Sequence, residues 1–422
     1  MIKIFKFGGA SVKDSSAVRN MSDIVRAYCS DSLVVVVSAM GKTTNAIERI
    51  HAARFRGEPY QVQLEELTRY HEQLVEELFG DDTSGSTALR AQLEALGQVL
   101  DAPGSGNFDQ DYDSIIGFGE LISTAIVQAY LSSQEISSQW FDARDIIITD
   151  SRYRDARVNW EMSASRISPL ERALSEKRVC VIQGFIGSTS EGRSTSLGRE
   201  GSDFTASIMA YLLNASDVTI WKDVPGMLNA DPKKFNDTVK LDRISFKEAI
   251  ELAYYGASVI HPKTIKPLQN KGIPLHIKSF LNPTASGSTI QEGTENDHLI
   301  PSYIIKDNQT LLSIATRDFS FIVEDNLKEI FGVLSELGIR IHLMENSAIS
   351  FSIVIDTDTH KQEMLLDKLK VKYSVKYNER LSLVTVRHGS EDSYKSLIKN
   401  GVILIEQRSR HTLRFVLKKE KN

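Results

Sequence analysis

The chain has 422 residues, 41% of them hydrophobic and 25% charged, with a formal net charge of −5 at pH 7. That length buries large cores in two or three domains, and that charge balance gives no bulk attraction to nucleic acid or an anionic membrane. The longest aliphatic runs, 33–37 and 146–148, are far too short to span a bilayer. Cys29 and Cys180 each lie in or beside an apolar segment, which suits core packing in a reducing compartment better than a disulfide, and no Cys/His metal spacing occurs. The expectation is a cytoplasmic protein that handles small molecules, with no nucleic-acid partner, no membrane partner and no metal site built from its own side chains.

In chain order, residues 2–7 alternate like a strand and stop at Gly8-Gly9, after which Ser15 or Ser16 can cap a helix through Val18, Met21, Ile24 and Val25. Residues 33–37 repeat the plan, ending at 38–45 before an amphipathic helix from Ala46 onward. Two strand, turn and helix units imply a parallel sheet with helical crossovers, whose ligands collect where strands end and helices begin. Residues 60–101 read as a helical insertion over the edge of the active site, and 101–111 as a flexible loop. A long apolar helix over 115–131 carries Gly117-Phe118-Gly119-Glu120 at its head. Glu120 is either a stabiliser of the helix N-terminus or a partner for an ammonium group.

Strands are expected around 139–142 and 146–149, a helix over 163–175, and a strand over 179–184. The stretch Leu197-Gly198-Arg199-Glu200-Gly201-Ser202-Asp203 then feeds a helix marked by Phe204, Ile208, Tyr211 and Leu212. Its glycines allow close backbone approach, and Arg199 with the first helical N–H groups attracts an anion; the bland reading is a glycine-rich hairpin and an ordinary capped helix. A strand over 218–221 ends at Asp223-Val224-Pro225-Gly226. Beyond Pro232 come helices over 245–255 and 263–270, separated by a break at 256–262, and a strand over 274–278.

The sequence shows no Ser/His/carboxylate arrangement, no paired acid/base carboxylates and no P-loop. What recurs is glycine turns at strand ends with single charges at Lys6, Arg199, Asp203 and Asp223. Such a set suits phosphoryl transfer to an acceptor already ionised, which needs positioning and charge neutralisation more than a strong base.

The segments Lys6-Phe7-Gly8-Gly9-Ala10-Ser11-Val12, Gly119-Glu120, Gly184-Phe185, Leu197-Gly198-Arg199-x-Gly-Ser-Asp203, Trp221-x-Asp-Val-Pro-Gly226, Asp231-Pro232 and Gly256-Ala257-x-Val-x-His-Pro262 together resemble the aspartate kinases of the amino-acid kinase superfamily. The resemblance runs in order over essentially the whole chain. It implies an α/β amino-acid kinase fold over 1–295, an open and mainly parallel sheet with helices on both faces. It also implies ATP and Mg²⁺ as cofactors, L-aspartate as substrate, and a first step toward lysine, threonine and methionine. Lys6 is then the cation that neutralises the transferring phosphoryl group, with Gly8 and Gly9 offering N–H donors, and Asp203 organises lysines and substrate. Ser38, Thr44, Phe185 and Ser202 match the substrate side, Glu120 the ammonium ligand and Arg199 the clamp on the α-carboxylate. Asp223 matches the nucleotide side. There the chain departs from the pattern, with Lys222, Leu228, Lys233 and Ser258 where many relatives carry Thr, Tyr, Arg and Lys. Lys222 is the leading candidate to replace the missing lysine charge. His261 reads as a helix cap or core residue. Another superfamily kinase, or a non-catalytic amino-acid sensor on the same fold, remains as an alternative.

Residues 311–316, 339–343 and 349–355 read as strands with helices over 327–337 and 362–369. The plan repeats with strands over 381–386, 402–406 and 412–417 and a helix over 394–399; Arg317 matches Arg387 and Gly338 matches Gly401. This duplication resembles the paired α+β, ferredoxin-like ACT modules of aspartate kinases, here about 306–375 and 378–422, the second truncated. No homoserine dehydrogenase of the bifunctional relatives is expected after it. The resemblance implies a homodimer and a lysine or threonine effector, with Asn346 and Ser347 as its side-chain partners. Asp325, expected to cap the first module's helix, would repel the effector's carboxylate and weaken the response.

Overall fold

The computed structural model describes residues 1–257, 260–293, 297–318, 320–398 and 401–419. Its contacts divide into two units, one of Met1–Met227, Lys240–Ala253 and Ser258–Asp297, the other of Leu228–Val239, Tyr254–Ala257 and His298–Asn422.

The first unit contains strands β1 (Ile2–Phe7), β2 (Ser32–Val37), β3 (Ser138–Phe141), β4 (Ile148–Thr149), β5 (Val179–Gln183), β6 (Ile186–Thr189), β7 (Ser194–Ser196), β8 (Asp217–Lys222), β9 (Arg243–Ser245), β10 (Leu275–Ser279) and β11 (Ser288–Gln291). Eight of them form one sheet in the order β3-β5-β2-β1-β8-β10-β11-β9, parallel throughout except between β10 and β11. The central strands are covered on both faces, which is why Leu33, Val34, Val35, Val36 and Val37 run without alternation and are all fully buried. Lys6, in register with Val36 on one side and Ile220 on the other, stands near the C-terminal end of the middle strand. A smaller sheet, β4-β6-β7, lies within the same unit.

Its helices are α1 (Ser15–Tyr28), α2 (Thr43–Phe55), α3 (Gln61–Phe79), α4 (Ser84–Asp101), α5 (Phe108–Ile116), α6 (Phe118–Ser133), α7 (Ala143–Ile146), α8 (Trp160–Ser165), α9 (Ser168–Ser175), α10 (Gly201–Leu213), α11 (Phe246–Tyr255) and α12 (Pro262–Lys271). Several boundaries correct the sequence reading. Asp14, not Ser15 or Ser16, caps α1, its carboxylate accepting from the Ala17 N–H at 2.8 Å. Helix α2 starts at Thr43 rather than Ala46, bringing Thr44 into its first turn, and the loop expected over 101–111 ends where α5 begins at Phe108. The single helix expected over 163–175 is two, because Pro169 cannot donate the N–H a continuing helix needs and instead sits in the first turn of α9. Residues 146–149 are the end of α7 and a two-residue strand rather than one strand. His261 caps α12, its Nδ1 accepting from the Lys263 N–H at 3.2 Å. The single helix expected over 115–131 is also two elements, α5 ending at Ile116 and α6 starting at Phe118 after Gly117. Together, Phe108–Ser133 is apolar and long enough to cross a membrane, but 89% of its most apolar window is buried inside the protein, as expected of core helices.

The second unit is built on one antiparallel sheet of six strands: β12 (Ser302–Thr316), β13 (Ile341–Asn346), β14 (Ser350–Asp356), β15 (Tyr373–Arg387), β16 (Gly401–Arg408) and β17 (Thr412–Lys419), in the order β13-β14-β12-β15-β17-β16. Helices α13 (Glu324–Glu336) and α14 (Thr359–Lys370) bury Ile330, Leu334, Leu365 and Leu369 against Leu312, Ile314, Phe351 and Ile353. Helix α15 (Glu391–Ile398) supplies Tyr394 and Leu397 to a separate cluster around Phe415. This arrangement fits a pair of ACT modules. Asp325 is not the cap of α13: Val323 occupies that position, its N–H donating to Asn326 Oδ1 at 3.1 Å, and Asp325 lies with Glu324 in the first turn.

Candidate active site

Parallel strands deliver their C-terminal ends to one edge of the sheet, and there the first unit encloses a cleft of about 550 Å³. Lys6 comes from β1, Ser38 from the turn after β2, Thr44 from the first turn of α2, Glu120 from the head of α6, Phe185 from the turn after β5, and Lys222 from the end of β8. The passage into α10 supplies Arg199, Ser202 and Asp203. Gly9 belongs to the lining for a steric reason. A Cβ there would lie 2.8 Å from the Ala39 carbonyl oxygen, so the β1 and β2 turns can touch only through a glycine.

The charge in the cleft is organised around Asp203, which is 2% exposed. Lys6 Nζ lies 2.6 Å from its Oδ1 and Lys222 Nζ lies 3.3 Å from its Oδ2. Burial alone would raise the Asp203 carboxyl, but the Lys6 and Lys222 ammonium groups outweigh it and hold the group below the usual carboxylate range. Glu120 is in the opposite situation. Burial pushes its carboxyl up to about 8 against a weak hydrogen bond from the Ala39 N–H, which reaches Oε1 at 3.3 Å. Its Oε2 is buried and has no hydrogen-bond partner among the described residues. Glu200 Oε2 is likewise buried and bare, and burial raises that carboxyl too, with Lys222 opposing.

Of the residues singled out in the sequence, Lys6, Gly9, Ser38, Thr44, Glu120, Phe185, Arg199, Ser202, Asp203 and Lys222 share this cleft. Gly8 lies beside it, a Cβ there being 3.4 Å from Lys6 Nζ. Asp223 is exposed, one residue beyond β8, and is not part of the lining. Leu228 and Lys233 belong to the second unit, and Ser258 falls outside the described residues. Asn346 ends β13, and Ser347 turns the chain into β14 with its hydroxyl 2.7 Å from that of Ser350.

Sequence reading missed Glu48, Tyr112, Arg154, Ser196 and Glu200 as lining residues. The Tyr112 hydroxyl donates to Glu48 Oε1 at 2.8 Å, and the Arg154 guanidinium stacks 4.4 Å from the Tyr112 ring centre. Arg154, Phe185 and Glu200 adopt φ of 66°, 71° and 53°, the left-handed region that non-glycine residues seldom occupy. Such backbone strain gathers at functional sites and carries no compositional signature.

The amino acid kinase family is matched over residues 1–279, and the chain belongs to that family. It is 32% identical over 396 residues to the lysine-sensitive aspartokinase 3 of Escherichia coli, covering 91% of this chain and 86% of that protein. Its fold superposes on crystal structures of E. coli aspartokinase III. For the complex with lysine and aspartate the TM-score is 0.81 at 29% identity, covering 98% of this chain and 95% of that one. For the complex with aspartate and ADP the TM-score is again 0.81, covering 99% and 96%. Within the family, the chain is one of the aspartokinases.

Proposed function

We propose that this chain transfers the γ-phosphoryl group of ATP to the side-chain carboxylate of L-aspartate, giving 4-phospho-L-aspartate. The observation that carries the reading is the bare, buried Oε2 of Glu120 in the same cleft as Arg199 and the Lys6–Asp203–Lys222 trio. A free amino acid brings an ammonium and an α-carboxylate that both need partners, and Glu120 and Arg199 are those partners. Ser38, Thr44, Phe185 and Ser202 complete the acceptor pocket. The side-chain carboxylate is left facing Lys6, already ionised, so no general base is required. Lys6 and Lys222, with the N–H groups of Gly8 and Gly9, neutralise charge on the transferring group.

The donor set fits a magnesium ion held chiefly by the nucleotide's own phosphates. Asp203 is engaged by two lysines, whereas the bare Oε2 of Glu200 is a hard oxygen available to the ion or to one of its waters. When bound, magnesium offsets charge on the phosphates. Asp223, Leu228, Lys233 and Ser258 are assigned to the nucleotide side on sequence grounds. The second unit is assigned to regulation and homodimer formation, with a lysine or threonine effector meeting Asn346 and Ser347. A coupled assay of ADP formation tests the reading: activity should require both aspartate and magnesium. ADP release that is indifferent to aspartate, or that responds to a different carboxylate, would overturn it.

A further inference from the structure

Asp113, on α5, is only 1% exposed, and no step proposed above uses it. Its carboxylate accepts three hydrogen bonds. The Ser196 hydroxyl reaches Oδ1 at 2.6 Å, and the backbone N–H groups of Ser196 and Arg154 each reach Oδ2 at 2.9 Å. Burial raises the Asp113 carboxyl, and these donors only partly offset it. A carboxylate kept in the interior against that penalty has a geometric task.

The two residues it grips are both walls of the cleft. Ser196 ends β7 three residues before Arg199, and its carbonyl accepts from the Ala156 N–H at 3.0 Å. Arg154 is held in the left-handed region, and the bend there brings Asp155 Oδ1 to 2.7 Å from where a Cβ on Gly198 would lie. The 150–157 loop is therefore seated against the residue that precedes Arg199. We infer that Asp113 is a positioning residue for phosphoryl transfer: by tying α5, the 150–157 loop and β7 together, it sets where the Gly198-Arg199 turn presents its guanidinium to the α-carboxylate of the acceptor. This rests on the aspartokinase activity proposed above.

A residue that only stabilises the fold would lower the melting temperature and leave both Michaelis constants alone. Asp113→Ala should instead raise the aspartate KM about tenfold or more while the ATP KM stays within about twofold, as a small misplacement of a clamp requires. Asp113→Asn should recover most of the loss. Its amide oxygen can take both backbone N–H groups, and the Ser196 hydroxyl can turn to accept from the NH₂. If Asp113→Ala fails to fold, Ser196→Ala removes only the 2.6 Å bond and should raise the aspartate KM about threefold. An unchanged aspartate KM in whichever of these two variants folds overturns the inference, whatever the melting temperature does. A wild-type chain without aspartate-dependent ADP formation would overturn the proposed function and this inference with it, a result distinct from an active wild type whose variants keep their aspartate KM.

Discussion

The Lys222 ammonium lies 3.3 Å from Oδ2 of Asp203, so a lysine at the end of a strand faces a buried carboxylate and not solvent. With Lys6 on the other oxygen, two ammonium groups converge on one carboxylate where phosphates are proposed to arrive. Cations held there attract nucleotide. Lys222→Ala should raise the ATP KM about tenfold, equivalent to roughly 1.4 kcal/mol, with the aspartate KM little changed. Adding Ser258→Lys asks whether the charge can come from a second position: recovery of the ATP KM would show a shared task, and purely additive effects would show none.

Arg199 is exposed and lines the same cleft. Its flat fork matches a carboxylate through two hydrogen bonds, which a lysine cannot reproduce. Arg199→Lys should raise the aspartate KM about tenfold or more and leave the ATP KM nearly unaltered, a loss on the order of 1–3 kcal/mol. An Arg199→Lys enzyme with the wild-type aspartate KM would remove Arg199 from the acceptor site.

The Glu120 carboxyl, raised by burial to about 8 from an ordinary value of 4.5, gives a pH signature. Between those values the folded chain keeps a proton that the unfolded chain has lost. The Glu120 contribution to stability therefore falls as pH rises through that window, and Glu120→Gln should flatten the decline. Substrate binding runs the other way. An ammonium can pair only with the ionised form, so the aspartate KM should fall from pH 6.5 toward 8, and binding at pH 7 should release close to one proton. Titration calorimetry in buffers of different ionisation enthalpy reads that proton directly; none released would count against Glu120 as the ammonium ligand.

Glu324 and Asp325 place two carboxylates in the first turn of α13, where a helix favours negative charge and where the proposed effector's carboxylate is expected to dock. Inhibition by lysine or threonine should accordingly be weak, and Asp325→Asn should strengthen it severalfold. Full inhibition of the wild type at micromolar lysine would contradict this.

The parallel-sheet plan was legible because its punctuation is local. Gly8-Gly9 follows β1, a polar turn follows β2, and both precede helices whose apolar residues recur at helical spacing. That Lys6, Ser38, Glu120, Arg199 and Asp203 share one cleft was legible because each stands at or near a strand end or a helix start. Arg154 and Glu200 were not, since their place depends on backbone conformations their side chains do not advertise. Nor was the extent of β12 and β15. The sequence reading starts these strands only at 311 and 381, yet Lys306 pairs with Leu383 and Leu311 with Asn378, the strands continuing through register shifts between Lys306 and Leu311. Tertiary pairing overrides the composition there.

Those two strands have a consequence for folding. Each is 15 residues long, and they pair with one another at the middle of the six-stranded sheet, from Ser302 with Arg387 to Thr316 with Tyr373. Strand β14 attaches along the far end of β12, and β17 along the far end of β15. The two copies of the duplicated motif are therefore not beads that can be cut apart, because each borrows part of its sheet from a strand that also serves the other. Their central ladder joins residues distant in sequence, so it forms only after a long chain closure and is expected to be slow. The pair should melt as one cooperative block, and a fragment ending between them should remain unfolded.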